Sequence, residues 1–461
     1  MATRRELRLA GLVAWAVGMA GLCVYLAPEG RAEQLVGAVL VGAVLATAGG
    51  ALLLRQPWLL AFATLACIPI RIPVDVGTED ANLLLPLYAV LASLAVALVW
   101  LLLRGDDRSR ELGPIAVPLA ALVAWTGLAL LWTDDLRQGA VFLAAFVLPF
   151  GLLAIGFARL PWSRRALLGL YGALAATAMA YAGVGLYQWG TREVFWNPKL
   201  QVDNAYAPFF RVNSVFWDPS IYGRYLVVAI LATLALVLLG LRERLLAAAT
   251  VAIALMWAGL LFSFSQSSFA ALIVGTLAAS TFAWRWRAAA ALSLAAVVIV
   301  AIALATPQVR TRLLHESRAG LNAATSGRAG LVSNGLKIAA DHPVIGVGTG
   351  GFKRAYADRT GLHGRDPKKA ASHSTPVTVA AETGVPGLAL LLWLGFAALL
   401  TAFRSRGRSA AGGAALASGL TLGAIAVHSL FYNALFEDPT TWGLFGLIAL
   451  AAARAPDEAL T

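Results

Sequence analysis

Charge is what this sequence is short of. Only 13% of its 461 residues are Asp, Glu, Lys or Arg and 59% are hydrophobic, against a charged share of about a quarter in soluble globular domains. A soluble globule is excluded, and an integral membrane protein is what remains. Cysteine is scarce too. Cys23 and Cys67 both lie inside apolar runs, which excludes a disulfide framework or a thiolate zinc site and predicts two buried free thiols. The strict apolar/polar alternation of a membrane barrel is missing. So is any metal-ligand spacing: Asp106-Asp107 and Asp134-Asp135 are short charged turns with no His or Cys partner, so the expectation is chemistry with no metal and no other cofactor. Acidic residues number 24 against 36 basic ones, a net charge of +12. In a soluble protein that balance would point to nucleic acid. Here the positive charge is scattered over loops on both faces with no aromatic-interleaved basic domain, so nucleic acid is excluded as a partner and anionic membrane lipids and phosphate-bearing substrates are favoured.

What the sequence has in quantity is apolar runs of about twenty residues, each long enough to cross roughly 30 Å of hydrocarbon as a helix. They fall at about 9–26, 35–54, 57–73, 83–103, 114–132, 138–158, 165–189, 219–240, 245–262, 268–284, 287–305, 385–403, 412–434 and 440–454. The first follows Arg4-Arg5-Glu6-Leu7-Arg8 but has no small-residue cleavage site, so it reads as a membrane helix and not a signal peptide. The third ends in Pro69 and Pro73, which leaves the count at about 12–14. The fold class is an all-α polytopic membrane protein. Arg55, Arg104, Arg159, Arg164, Arg285, Arg404 and Arg454 fall between spans on one side, and Glu29, Asp75, Asp134 and Glu437 on the other. Because cytoplasmic loops carry the basic residues, both termini are expected in the cytoplasm.

That orientation puts the long polar stretch 307–384 outside the cytoplasm. With the adjoining residues up to 387 it holds eleven of the Lys and Arg residues and four of the five His. The chain thus divides into N-terminal spans (1–204), central spans with an outer arginine (205–306), an extracytoplasmic loop (307–384) and three closing spans (385–461). Within the loop, 307–315 and 327–341 have helical character, with Ser326 an N-cap for the second. Pro343 and the glycines at 346, 348, 350 and 351 force an irregular turn before a short helical segment near Phe352. Residues 360–371 are polar and basic, and an amphipathic stretch, 372–382, returns to the membrane.

Five residues in and around this loop invite chemistry. Arg211 lies just before the span starting near Pro219, where a guanidinium either snorkels to headgroups or chelates phosphate oxygens in pairs. Arg224 is one to two turns deeper, where a charge is costly and either functional or paired with Asp218. Arg328 follows Ser326-Gly327. His373, between Ser372 and Ser374 at the start of the amphipathic stretch, can take a proton from a sugar hydroxyl as a neutral imidazole, with Glu382 an orienting partner if the stretch folds back. His342, next to Pro343, suits a structural hydrogen bond. His315 and His363 read as surface residues, and His428, a turn before Tyr432, as a packed polar contact. The Gly346-Val347-Gly348-Thr349-Gly350-Gly351 run lacks the Gly-Lys-Ser/Thr ending of a phosphate loop and the strand and helix of a dinucleotide site, so nucleotide binding is set aside.

Together these elements resemble the O-antigen ligase and Wzy polymerase superfamily: Ser326-Gly327-Arg328, the turn from His342 to Gly350, His373, the segment from Glu382 to Gly387, and three closing spans, with Arg211 matching an upstream Arg of the family. The resemblance covers about 205–450. It departs at Ser265-Gln266-Ser267, where the family often has Ser-Arg, so Gln266 stands at a phosphate-binding position with Arg224 available to compensate. It departs also at Ser374, where Asn is common. The resemblance implies a bacterial inner-membrane glycosyltransferase working on the extracytoplasmic side. Its donor would be a glycan on polyprenyl (undecaprenyl) pyrophosphate, and its acceptor a glycolipid such as lipid A core. Arg211, Arg328, Arg224, Gln266 and Glu382 would bind substrate, and His373 would be the base of an inverting transfer. A polymerase of lipid-linked glycans is the neighbouring alternative. A transporter is the other class, and for it the sequence offers neither mid-membrane charge nor inverted repeats.

Overall fold

The computed structural model describes residues 4–26, 32–76, 79–106, 111–206, 209–240, 243–305, 328–361, 372–433 and 435–458. They form helices α1 (Arg4–Leu26), α2 (Ala32–Arg55), α3 (Leu59–Cys67), α4 (Leu85–Leu103), α5 (Ala116–Leu128), α6 (Leu136–Phe142), α7 (Leu148–Ala158), α8 (Arg164–Thr191), α9 (Pro198–Tyr206), α10 (Pro219–Leu238), α11 (Glu243–Ser263), α12 (Gln266–Ala305), α13 (Arg328–Asp341), α14 (Phe352–Thr360), α15 (Thr375–Arg404), α16 (Ala410–Ser429) and α17 (Pro439–Glu458). A π-helical turn, Leu143–Val147, links α6 to α7 in one span. Strands β1 (Ile72–Val76) and β2 (Glu79–Leu83) pair as an antiparallel hairpin with Ile72 opposite Leu83. Among the described residues nine helices are long and apolar enough to cross a membrane, with shorter apolar helices at Val39–Arg55 and Gln266–Phe282. The fold is the all-α polytopic membrane protein that the hydropathy predicts.

Three local expectations fail for physical reasons. The apolar run at 57–73 is not one continuous helix: α3 ends at Cys67, and Pro69 and Pro73, which cannot continue a helical ladder, steer the chain into β1. The runs at 268–284 and 287–305 are not separate helices, because α12 continues from Gln266 to Ala305. Arg285 and Arg287 interrupt the hydropathy, but no Gly or Pro interrupts the backbone there. Cys67 is buried as expected, whereas Cys23 is exposed on the surface of α1.

The spans start where the sequence supplies caps. The Asp218 side chain accepts from the Ser220 amide at 2.6 Å with Pro219 in the first turn, and the Asp438 side chain accepts from the Thr440 amide at 2.9 Å ahead of α17. Ser163 caps α8 and Ser409 caps α16 in the same way. Helix α10 is the most enclosed span, packed against α8, α11, α12 and α16. A second core joins α4, α7, α15 and α17 around Leu94, Phe150, Leu394 and Trp442. Helix α15 breaks at Gly384 (φ 70°, ψ −172°), leaving a short arm before a membrane-length segment. The Val385 amide freed by the break donates to Pro343 O at 2.8 Å, so a loop repairs what the helix lost.

Candidate active site

The glycine turn forms the floor of a cavity. Val347 N donates to Ala381 O and Gly348 N to Glu382 O, both at 2.9 Å, so the turn runs alongside the short arm of α15 like a strand beside its partner. On its other side the Thr349 hydroxyl donates to Thr126 O at 2.7 Å, and the Trp132 indole donates to Ile345 O at 3.1 Å. Trp125 closes the same corner, its indole donating to Thr383 O at 2.8 Å. The turn is so closely held that its glycines are obligatory. Gly348 has φ +86°, and a Cβ there would lie 2.4 Å from Thr133 Cα. Glu382 lends its carboxylate to the same structure, accepting from the Phe352 amide at 3.4 Å.

His373 is presented by a strained residue. Its φ is +60°, a left-handed conformation costly for a side chain of its size. The flanking serines impose it. Both are buried; the Ser372 hydroxyl donates to Ser374 O at 2.8 Å, the Ser374 amide donates back to the Ser372 hydroxyl at 3.1 Å, and Ser372 and Thr378 share a hydroxyl contact of 3.0 Å. These contacts fix the backbone from which the imidazole projects.

Arg211 comes from the opposite wall. Its backbone is clasped twice by the Asn204 amide side chain of α9, at 2.9 Å each way, and its Nε donates to Ser263 O at the end of α11, 3.2 Å. Arg328 opens α13. Among the described residues neither guanidinium makes an ion pair with a carboxylate. Burial pushes the Arg211 pKa down; Asp218 opposes this and the nearby positive charge of Arg328 adds to it. An anion would relieve both the desolvation and the repulsion.

Arg211, Arg328, His373 and Glu382 line one cavity of about 350 Å³, together with Asp218, Ser220, Thr378, Tyr432 and Glu437. Four of the six residues singled out in the sequence are thus brought together. Arg224 and Gln266 are not. Arg224 is buried and pairs through Nε with Asp438 Oδ2 at 2.9 Å, not with Asp218, whose carboxylate is used as the cap of α10. Gln266 is exposed at the start of α12, because the residues that turn inward there are its neighbours Ser265 and Ser267. His342 is exposed in the turn and off the cavity wall. Buried His428 packs as expected, its Nε2 3.0 Å from the Ser267 hydroxyl and its ring centroid 5.5 Å from that of Tyr432. Ser326, Gly327, His315, His363 and the segment 307–315 lie outside the described residues, as do most of 360–371.

Sequence reasoning passed over the second wall of the cavity. Glu437, preceding the cap of α17, is held by Arg71, whose Nη2 donates to Glu437 O at 3.0 Å and whose Nη1 lies 4.0 Å from the carboxylate. The available signals were Arg71, an isolated cation between isoleucines in Pro69-Ile70-Arg71-Ile72-Pro73, and the acidic pair Glu437-Asp438 immediately before Pro439. Among the described residues no group of three His, Cys, Asp or Glu is placed to hold a metal ion.

Fold and cavity describe a multi-pass membrane protein whose helices enclose a cavity lined by two arginines and a histidine. Residues 251–392, from α11 through the first half of α15, match the family model described as O-antigen ligase. The match includes Arg328, His373 and Glu382; Arg211 lies upstream of it. No curated protein matches the chain.

Proposed function

We propose that the protein is a glycosyltransferase that moves a glycan from a polyprenyl pyrophosphate, of the undecaprenyl type, to a sugar hydroxyl of a glycolipid, in the manner of an O-antigen ligase acting on lipid A core. The observation that carries this reading is the convergence of Arg211, Arg328 and His373 on one cavity of a chain that matches the O-antigen ligase model. Pyrophosphate is already a good leaving group, so the chemistry asks for cations to receive it and a base for the incoming hydroxyl. Arg211 and Arg328 hold the diphosphate oxygens. The acceptor oxygen attacks the anomeric carbon as the carbon–oxygen bond to pyrophosphate breaks. The bonding pair leaves with the polyprenyl pyrophosphate, His373 takes the hydroxyl proton, and in-line attack inverts the anomeric centre. The cavity faces the extracytoplasmic side, a placement supported by the arginine-rich loops at the opposite ends of the spans.

The test is glycan transfer in liposomes holding the purified protein, an undecaprenyl-pyrophosphate-linked oligosaccharide and lipid A core. Wild type transfers; His373→Ala inserts and retains donor but turns over about 10²–10⁴-fold more slowly, while His342→Ala transfers almost normally. Transfer only onto a second lipid-linked glycan would make the protein a polymerase. Near-normal turnover by His373→Ala would remove the base from this scheme. Sidedness is checked with Asp358→Cys in a chain whose two native cysteines are replaced: an impermeant maleimide labels it in intact spheroplasts, and labelling only after permeabilisation would reverse the topology.

A further inference from the structure

The wall of the cavity carries two clusters of charge. At one, Arg211 is within electrostatic reach of Arg328, Asp218, Asp203 and Tyr432. At the other, the charged neighbours felt by Glu437 are Arg71 and Arg224. Tyr432, which lines the cavity, senses both Asp218 and Glu437. Asp218 and Glu382 also line the cavity, but their carboxylates accept from the Ser220 and Phe352 amides, and a further carboxylate facing a diphosphate would cost affinity through like-charge repulsion. Yet the Glu437 side chain is 35% exposed and lines the cavity.

The neighbours of Glu437 extend the contrast. Phe436 meets Phe142 of α6 edge to face, with ring centroids 6.0 Å apart, which brings α6 against the 435–437 segment. Gln138 is one turn before Phe142 on the same helix face, and all four residues line the cavity. Rings, a primary amide and a carboxylate are the groups that recognise a sugar: aromatic surface for its C–H faces, and acceptors for its hydroxyl protons. The wall is also rigid, since Arg71 grips Glu437 by main chain and side chain, and Arg224 grips the adjoining Asp438.

We infer that Gln138, Phe142, Phe436 and Glu437 form the acceptor-sugar subsite, Glu437 receiving hydroxyl protons of the acceptor glycan while the arginine cluster receives the donor diphosphate. This rests on the transferase reading above and assigns the cluster that reading leaves unused. Burial raises the Glu437 carboxyl pKa, and the positive charges of Arg71 and Arg224 oppose this and favour the ionised form that accepts hydroxyl hydrogen bonds.

The experiment is a two-substrate titration of the reconstituted protein, with undecaprenyl-pyrophosphate-linked oligosaccharide as donor and lipid A core as acceptor, or a second lipid-linked oligosaccharide if that is what wild type uses. Glu437→Gln raises the acceptor KM about tenfold, the loss expected when a charged hydrogen-bond acceptor is neutralised, and leaves the donor KM within twofold. Gln138→Ala, which touches no ion pair, raises the acceptor KM several-fold in the same direction and decides the matter if Glu437→Gln does not fold. A purely structural role would depress yield or move both constants together. Unchanged acceptor KM in the folded variants, or a rise in donor KM instead, overturns the subsite while the transferase reading survives. A wild-type protein that transfers nothing to either acceptor overturns both.

Discussion

The arginine cluster of the cavity and the charge layer behind it use one side chain in opposite ways. Arg211 and Arg328 face open volume, with no carboxylate partner among the described residues. Arg224 is enclosed, only 3% exposed, and bound to Asp438, itself 6% exposed. A buried ion pair contributes little net stability over an apolar pair, but removing one partner strands the other charge. An unpaired guanidinium at a cavity wall does the reverse: it costs the empty protein something and is repaid when an anion binds. Position on a helix does not separate these roles. The presence or absence of a carboxylate close enough to form an ion pair does.

The comparison is open to direct attack. Arg224→Ala should be the most damaging change, costing about 3–5 kcal/mol because Asp438 is left charged in a dry site; thermal unfolding in detergent reads this, and an unchanged midpoint would mean the pair is solvated. Arg211→Lys should leave that midpoint alone but lose about 1.5–3 kcal/mol of donor binding, roughly ten- to a hundredfold in donor KM, since an ammonium cannot make the two-pronged contact. Equal losses of stability by both variants would erase the distinction. Gly348→Ala tests the floor both walls share: its Cβ meets Thr133 and its φ disfavours any side chain, so about 1–3 kcal/mol should go from stability, with activity falling in parallel. Gln266→Ala should do least, within about 0.5 kcal/mol in stability and twofold in turnover, because its side chain is exposed and off the cavity.

The spans and loop helices were legible because each is a local pattern: α13 and α14 appear where helical character and the glycine turn place them. The residues that line the cavity from Arg211, Arg328, His373 and Glu382 were legible through motif, since a polar residue in an apolar chain draws attention. What escaped was everything that depends on a partner distant in sequence. Nothing near Arg224 names Asp438, and nothing near Arg71 names Glu437. The single-residue reading of Gln266 failed for a related reason: at a helix start, one position decides between facing the bundle and facing away, and only packing reveals which serine turns in. The merging of two expected spans into α12 shows the converse, that a pair of arginines marks a change of polarity and does not oblige a helix to stop.

The Arg224–Asp438 pair also sets an order of events during synthesis. Helix α10 is made long before α17, at about 5–20 residues per second, so Arg224 must enter the membrane without the carboxylate that will neutralise it. Near the helix end it can reach the headgroup layer in the meantime. Only when α17 arrives can it turn inward, and the segment that closes over it, with Asp438, carries Glu437 to the cavity wall. Completion of the chamber therefore waits for α17: a chain lacking that helix would hold an uncompensated arginine, a mark by which membrane quality control could tell it from one that has it.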